Sequence, residues 1–167
     1  MDAANGIGVL FVCMGNICRS PTAEAVFRRL AARDEARLIL EIDSAGTHGY
    51  HLGAAPDPRS QAAARRRGID MSAHRARRLV RADFERFDHV LVMDEQNRLD
   101  ALEIAPPSQR ASVKLLLEYA PALGRLDVPD PYYGGATGFE EVLDLVEEAS
   151  RGLLDALRVR AGLGRGP

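Results

Sequence analysis

Cysteine is scarce in this sequence of 167 residues, where only Cys13 and Cys18 are present and both lie in one short segment. An extracellular disulfide framework needs more cysteines, distributed along the chain. The N-terminus has no charged segment followed by a long apolar run, so we expect no signal peptide. No apolar run approaches the roughly 18 residues of a membrane span. These absences predict a soluble cytoplasmic protein with no membrane partner, and they leave open secretion by a route that needs no signal peptide.

An excess of positive charge is also missing. The formal net charge is -2, which gives nucleic-acid binding no bulk electrostatic support. Arginine clusters at residues 65–67 and 75–78 are predicted to be solvated faces, with a border to an anionic substrate as the alternative. The length suits a single domain over residues 1–167, with its core over about 7–160 and a flexible tail over 162–167.

Short apolar segments alternate with segments of helical periodicity. Four almost continuously apolar runs predict buried parallel strands at residues 7–12, 38–43, 89–93 and 113–117. Helices are predicted at residues 21–32, 59–67, 81–87, 95–104 and 138–161, and loops at 105–107 and 120–131. The alternation predicts an α/β fold, a three-layer open sheet of four parallel strands with helices on both faces.

The segment CMGNICRS, residues 13–20, joins the first predicted strand to the first predicted helix. Open α/β sheets bind ligands beyond the carboxyl ends of their strands. A loop at that place can aim several backbone N–H groups at one point, and the helix N-terminus adds to their positive potential. Gly15 and Asn16 tolerate the left-handed backbone that such a loop needs, and Pro21 suits the first helical position. The segment therefore predicts a cradle for an anion of phosphate size.

The polar residues of this segment add chemistry to the cradle. Cys13 lies at its base, where the N–H groups and the helix dipole favour a thiolate. Arg19 offers a planar fork to two phosphate oxygens, and Ser20 can donate its hydroxyl to a departing thiolate. Taken singly, Cys13 would be a small core residue and Arg19 a surface charge. Together they indicate phosphoryl transfer to a cysteine.

These residues resemble the low-molecular-weight protein tyrosine phosphatase family. The resemblance covers about residues 7–160 and rests on the segments VLFVCMGNICRSPTAEAVF, IDSAGTHGYHLGAAPDPRS, GIDMSAHRARRL, FDHVLVMD and DPYYGG. It implies a sheet of four parallel strands and hydrolysis of phosphotyrosine and small aryl phosphates, without a cofactor. It also implies phosphate as a product and a tyrosine-phosphorylated protein as the partner, with a bacterial tyrosine autokinase as one candidate. The high alanine and arginine content favours a bacterial source.

The resemblance also implies roles for individual residues. Cys13 would be the nucleophile, Arg19 the transition-state clamp, and Asp130 the general acid that protonates a phenolate with a pKa of about 10. Without the resemblance, Asp130 would be predicted to be a turn residue. Ser44 and His74 would support the loop by hydrogen bonds. The implied substrate-binding residues are Met14, Gly15, Asn16, Ile17, Cys18, Ser20, Tyr50, Tyr132 and Tyr133.

Several alternatives stay open beside this interpretation. Cys18 would form a reversible disulfide with Cys13, as in the family, or would only pack within the loop. An arsenate reductase of this fold needs further cysteines, and none follows Cys18. A second alternative is a protein-arginine phosphatase, but such relatives tend to carry threonine where this chain has Ile17. A third alternative is a non-catalytic phosphate-binding module, which would need neither a nucleophile such as Cys13 nor an acid such as Asp130. His48 and His51 do not give metal-ligand spacing with the cysteines, so no metal is expected.

Overall fold

The computed structural model describes residues 6–163, and their central element is a sheet of four parallel strands. The strands are β1 (Ile7–Cys13), β2 (Leu40–Gly46), β3 (His89–Val92) and β4 (Val113–Leu115). Their order in the sheet is β2–β1–β3–β4. The strand that leads into the predicted anion cradle is therefore a central one, with neighbours on both sides.

Helices cover both faces of the sheet. They are α1 (Arg19–Ala32), α2 (Pro58–Arg66), α3 (Asp83–Arg86), α4 (Glu95–Ile104) and α5 (Ala136–Arg160). Alternate residues of β1 point to opposite faces, as the pleat of a strand requires. Phe11 packs with Phe27 of α1 and the apolar side of α5, whereas Leu10 packs with Phe84 and Phe87. The predicted three-layer α/β fold is confirmed.

The bounds of the elements differ from the predicted ones mainly near the loops. The second strand, predicted at residues 38–43, runs over Leu40–Gly46, because its last residues pair with the end of β1. The fourth strand ends at Leu115 and continues as a 3-10 helix over Leu116–Tyr119. That helix buries Leu116 and Leu117 just as a strand would, and an apolar run alone does not distinguish the two.

The start of the first helix, the length of the third helix and the structure near two loops also differ from the prediction. The first helix begins at Arg19, so Pro21 takes the third helical position rather than the first. An N–H group there still has no partner within the helix, so proline is tolerated. The helix predicted at residues 81–87 is the single turn α3. A 3-10 helix over Pro107–Ser112 starts at the last residue of the loop predicted at 105–107, and another over Pro121–Leu123 interrupts the loop predicted at 120–131.

The end of the chain is described only as far as Leu163, which follows a turn after α5. The flexible tail predicted over residues 162–167 therefore lies mostly outside the described residues. None of the helices within residues 6–163 has the length and apolarity that crossing a membrane requires.

Candidate active site

Residues 13–19 form a tight loop between β1 and α1. Asn16 has a positive φ of 58°, as predicted for a cradle of backbone N–H groups. Gly15, also expected to be left-handed, is not among the described residues with positive φ. It has a different reason to be glycine, because a Cβ atom there would lie 2.9 Å from Cδ2 of His51. The loop thus contains one residue with left-handed backbone, Asn16, and one glycine, Gly15, that the side chain of His51 approaches closely.

Cys13 ends β1 and is buried beneath this loop. Its Sγ atom lies 3.0 Å from the Ser20 hydroxyl and accepts a hydrogen bond from the Asn16 backbone N–H at 3.3 Å. Both groups can donate to a negative sulfur, and α1 begins only a few residues away. Two hydrogen-bond donors, the Ser20 hydroxyl and the Asn16 N–H, are therefore within reach of the Cys13 sulfur.

The Asn16 side chain holds the loop from below. Its amide nitrogen donates to Ser20 Oγ at 2.8 Å and to Ser44 Oγ at 3.0 Å. Its amide oxygen accepts from the Arg77 backbone N–H at 3.0 Å. Asn16 and Ser20 are fully buried, so their side chains lie under the loop rather than in the cavity above it.

Glu24 extends this network and was missed by the sequence analysis. Its carboxylate accepts a hydrogen bond from Ser44 Oγ at 2.6 Å and lies 3.7 Å from Nδ1 of His74. The other ring nitrogen of His74 is 3.0 Å from the Asn16 carbonyl oxygen. Ser44 and His74 thus contact the loop where the resemblance implied. Glu24 could have been suspected only from its position one turn into α1, on the side that faces β2.

Arg19 is buried at the start of α1 and is held by two acceptors. Its Nη1 atom donates to Asp94 Oδ2 at 2.6 Å and to the Val128 carbonyl oxygen at 3.0 Å. Burial opposes the charge, but Cys13 and Asp94 outweigh it and raise the pKa of Arg19 above its ordinary value. The sequence analysis missed Asp94, although a carboxylate directly after the carboxyl end of a central strand was a usable signal.

Asp130 lies across the cavity from the loop. Its Oδ2 atom is 3.6 Å from Nη2 of Arg19, and its Oδ1 atom accepts from the Tyr132 backbone N–H at 3.0 Å. The second contact is a local turn that fixes the direction of the carboxylate. The Asp130 side chain is 31% exposed, so it faces both the cavity and solvent.

The cavity between these groups has a volume of about 270 Å³ and an aromatic rim. Tyr50 and Tyr133 are 72% and 84% exposed, and Tyr132 forms the wall between Tyr133 and His51. Apart from Asn16 and Ser20, the substrate-binding residues implied by the resemblance all line this cavity. Its lining consists of Cys13, Met14, Gly15, Ile17, Cys18, Arg19, Tyr50, His51, Asp130, Tyr132 and Tyr133.

Two other features bear on the chemistry of the site. Cys13 and Cys18 are both free thiols, and burial together with the charge of Asp57 raises the pKa of Cys18 to about 12. At the rim the His48 ring stacks on Tyr50, and the His51 ring lies tilted against Tyr132. Over residues 6–163, no three side chains of histidine, cysteine, aspartate or glutamate converge as a metal site would require.

A larger groove, of about 520 Å³, lies on the outer side of α1 and does not resemble this cavity. Arginines 28, 29 and 33 line it, but neither cysteine does. The candidate for chemistry is therefore the smaller cavity, where a thiol, a guanidinium and a carboxylate meet.

Comparison with known proteins identifies the family of the chain. Residues 8–161 match the model of the low molecular weight phosphotyrosine protein phosphatase family. A low molecular weight protein-tyrosine-phosphatase of Streptomyces coelicolor is 51% identical over 156 residues, which cover 90% of this chain and 93% of the relative.

Solved structures show the same similarity. The crystal structure of YfkJ from Bacillus subtilis has a TM-score of 0.86 and 40% identity, covering 93% of this chain and 96% of its own. Vibrio vulnificus Wzb in complex with benzylphosphonate has a TM-score of 0.77 and 28% identity, covering 89% and 97%. The chain belongs to the low molecular weight phosphotyrosine protein phosphatase family and is an enzyme of that class.

Proposed function

We propose that this phosphatase hydrolyses phosphotyrosine through a cysteinyl-phosphate, with Cys13 as nucleophile, Arg19 as clamp and Asp130 as general acid and then base. The observation that carries the proposal is the meeting of these three side chains in one cavity of about 270 Å³. A binding module for phosphate alone would need neither the thiol nor the carboxylate.

In the first step the phosphate dianion enters the cradle and the Cys13 thiolate attacks phosphorus. The sulfur–phosphorus bond forms as the bond to the phenolic oxygen breaks, and Asp130 gives its proton to that oxygen. Arg19 binds the equatorial oxygens. Because its Nη1 atom is engaged by Asp94 and Val128, we assign the phosphate contacts to Nε and Nη2.

In the second step water attacks the cysteinyl-phosphate. The Asp130 carboxylate takes a proton from that water, the sulfur–phosphorus bond breaks, and inorganic phosphate leaves. The departing thiolate of Cys13 is stabilised by the Ser20 hydroxyl, 3.0 Å from Sγ, and by the Asn16 N–H. Cys13 and Asp130 return to their starting charges, and no metal or cofactor enters the balance.

The walls of the cavity favour a flat aromatic ester as substrate. Tyr132 and Tyr50 can flank a phenyl ring, and Ile17 presents an apolar side chain beside the phosphate. The similar Wzb protein was solved with benzylphosphonate, a phosphonate that carries a phenyl ring. We therefore propose phosphotyrosine in a protein as the substrate, and a tyrosine autokinase as a candidate partner. A cytoplasmic location stays a prediction from the sequence.

The first test is hydrolysis of p-nitrophenyl phosphate and of a phosphotyrosine peptide, with a reductant and without added metal. We expect turnover by the wild type and none by Cys13→Ser, whose circular dichroism should be unchanged. If the folded wild type is inactive on both substrates, the proposal fails, and arsenate reduction becomes the next assay.

The second test addresses the acid. Asp130→Ala should lower kcat/KM for phenyl phosphate by roughly 10²–10⁴, the usual range for general acid–base catalysis, and less for esters with more acidic leaving groups. Asp127→Ala is the matched control, since Asp127 belongs to the same segment but accepts from the Glu95 N–H outside the cavity. An equal loss on every ester would remove Asp130 from the acid role.

A further inference from the structure

We propose that Arg59 is a positioning residue that holds the Asp130 loop, defined here as residues 130–135, in place beside the phosphate-binding loop. Arg59 would act on the reaction only through Asp130, so this inference rests on the function proposed above. Arg59 lies in one of the segments on which the resemblance rests, but neither the local sequence nor the resemblance gave it a role. It stands at the start of α2, away from the reacting atoms.

The first set of contacts joins Arg59 to the Asp130 loop. Its Nη2 atom donates to the Tyr132 carbonyl oxygen at 3.0 Å. Its guanidinium carbon lies 5.6 Å from the centre of the Tyr132 ring and 4.7 Å from that of Phe139 in α5. Because the Tyr132 N–H donates to the Asp130 carboxylate, Arg59 holds the same peptide segment that orients the acid.

The second set of contacts joins Arg59 to the phosphate-binding loop. Its Nε and Nη2 atoms donate to the two oxygens of Asp57, at 3.1 and 2.9 Å. The Asp57 backbone N–H donates in turn to the Ile17 carbonyl oxygen at 2.9 Å. Asp57 is buried, which opposes its charge, but the hydrogen bonds from Arg59 prevail and hold its pKa below the ordinary value. One guanidinium therefore connects the loop of the acid with the loop of the nucleophile.

The Asp130 loop needs such a connection because its own structure is weak. The Val128 N–H donates to the Met93 carbonyl oxygen at 2.7 Å just before the loop, and α5 begins after it. Between these points the loop has an internal bond from the Gly134 N–H to the Pro131 carbonyl oxygen. Its side chains are largely exposed and it ends in two glycines, which leaves its backbone free to adopt other conformations.

We expect Arg59→Gln to lower kcat/KM for phenyl phosphate by about tenfold, less than the roughly 10²-fold that a 1 Å misplacement can cost. The loss should shrink towards none for an ester with a strongly acidic leaving group, which needs little protonation. The inhibition constant of inorganic phosphate should not change, since the cradle is intact. Arg65→Gln, on the same helix and exposed, is the matched control and should match the wild type.

The decisive experiment is a double-mutant cycle on phenyl phosphate, made from Arg59→Gln, Asp130→Ala and the double variant. If Arg59 acts through Asp130, adding Arg59→Gln to Asp130→Ala should cause no further loss. Losses that multiply, or a weakening of phosphate inhibition by the same factor as kcat/KM, would overturn the inference. Asp130→Ala alone tests the proposed acid role, so a failure of that role is distinguishable from a failure of Arg59 alone.

Arg59→Lys is the second variant, and it allows the inference to be tested if Arg59→Gln does not fold. Lysine retains the charge but lacks the planar fork that reaches Asp57 and Tyr132 together. We expect it to lose activity in the same pattern as Arg59→Gln. Full activity of Arg59→Lys would show that charge alone suffices, and would overturn the geometry argued here.

Discussion

Arg19 and Asp94 form a close ion pair beneath the cavity, with 2.6 Å between Nη1 and Oδ2. The other oxygen of Asp94 accepts a hydrogen bond from the Asn97 N–H at 2.8 Å, so the carboxylate also caps the N-terminus of α4. This pair fixes one edge of the guanidinium from the end of β3. The opposite edge is thereby turned towards the cavity where Cys13 and Asp130 lie.

Removing the charge of Asp94 should loosen this orientation. Asp94→Asn keeps a helix-capping side chain, and we expect it to lower kcat/KM for phenyl phosphate by about 10–10², within the cost of a small misplacement of a catalytic group. Inorganic phosphate should also inhibit Asp94→Asn more weakly, because the Arg19 guanidinium binds phosphate oxygens in the ground state as well as in the transition state. Glu95→Gln, a neighbouring exposed carboxylate, is the control. Unchanged kinetics of Asp94→Asn would show that Arg19 does not depend on the pair.

Loss of the Ser20 hydroxyl should affect mainly the second step. Ser20→Ala removes the group 3.0 Å from Cys13 Sγ, which stabilises the thiolate as it departs from phosphorus. We expect kcat to fall by about tenfold or more, the scale of one lost hydrogen bond to a charge, with a smaller change in kcat/KM. Stopped-flow release of p-nitrophenol should then show a larger burst relative to the steady rate. An equal fall of kcat and kcat/KM without a burst would contradict this role.

The two cysteines should differ in reactivity towards alkylating reagents. Burial and the charge of Asp57 raise the pKa of Cys18 from 9.0 to about 12, so near pH 7.5 this thiol is almost entirely neutral. The thiolate is the reactive form. We expect iodoacetamide to modify Cys13 first, with phosphate protecting it, and Cys18→Ser to be inactivated as fast as the wild type. Peptide mapping that finds Cys18 modified at a similar rate would contradict this.

His89 should make the stability of the fold depend on pH. It starts β3, where burial and the nearby Arg160 lower its pKa below the ordinary 6.5. The unfolded chain therefore binds more protons between the lowered pKa and 6.5, so stability from this group is present above 6.5 and lost as the pH falls through that window. Urea unfolding at pH 7.5 and 5.5 should show a smaller loss for His89→Gln than for the wild type. Equal losses in the two proteins would show that His89 does not contribute.

Features that are local in the sequence could be predicted, and those set by the order of strands could not. Cys13 and Arg19 share one short segment at a strand-to-helix turn, and that context alone predicted their meeting. Asp94 is 75 residues from Arg19 in the chain, and only the pairing of β1 with β3 brings them together. Glu24 is equally dependent on β2, which carries Ser44.

Asp130 illustrates what a resemblance adds to physical reasoning. An aspartate followed by proline and two tyrosines is a common turn, and nothing in that segment predicts that it faces a cysteine over one hundred residues away. The resemblance to a family implied its place, and the structure brings it within 3.6 Å of Arg19. Neither the local sequence nor the resemblance gave Arg59 a role, because its contacts with Tyr132 and Phe139 depend on how α2 packs beside α5.

The central claim is transfer of the phosphoryl group to Cys13, and trapping the intermediate tests it most directly. Asp130→Ala mixed with p-nitrophenyl phosphate and quenched in acid should gain the mass of one phosphoryl group. The intermediate still forms, because the p-nitrophenol leaving group needs little protonation. It then accumulates, because the variant lacks the base that activates water. Tandem mass spectrometry should place that group on Cys13, and Cys13→Ser should gain none. Continued turnover without a phosphoenzyme, or a phosphoryl group on another residue, would contradict the account.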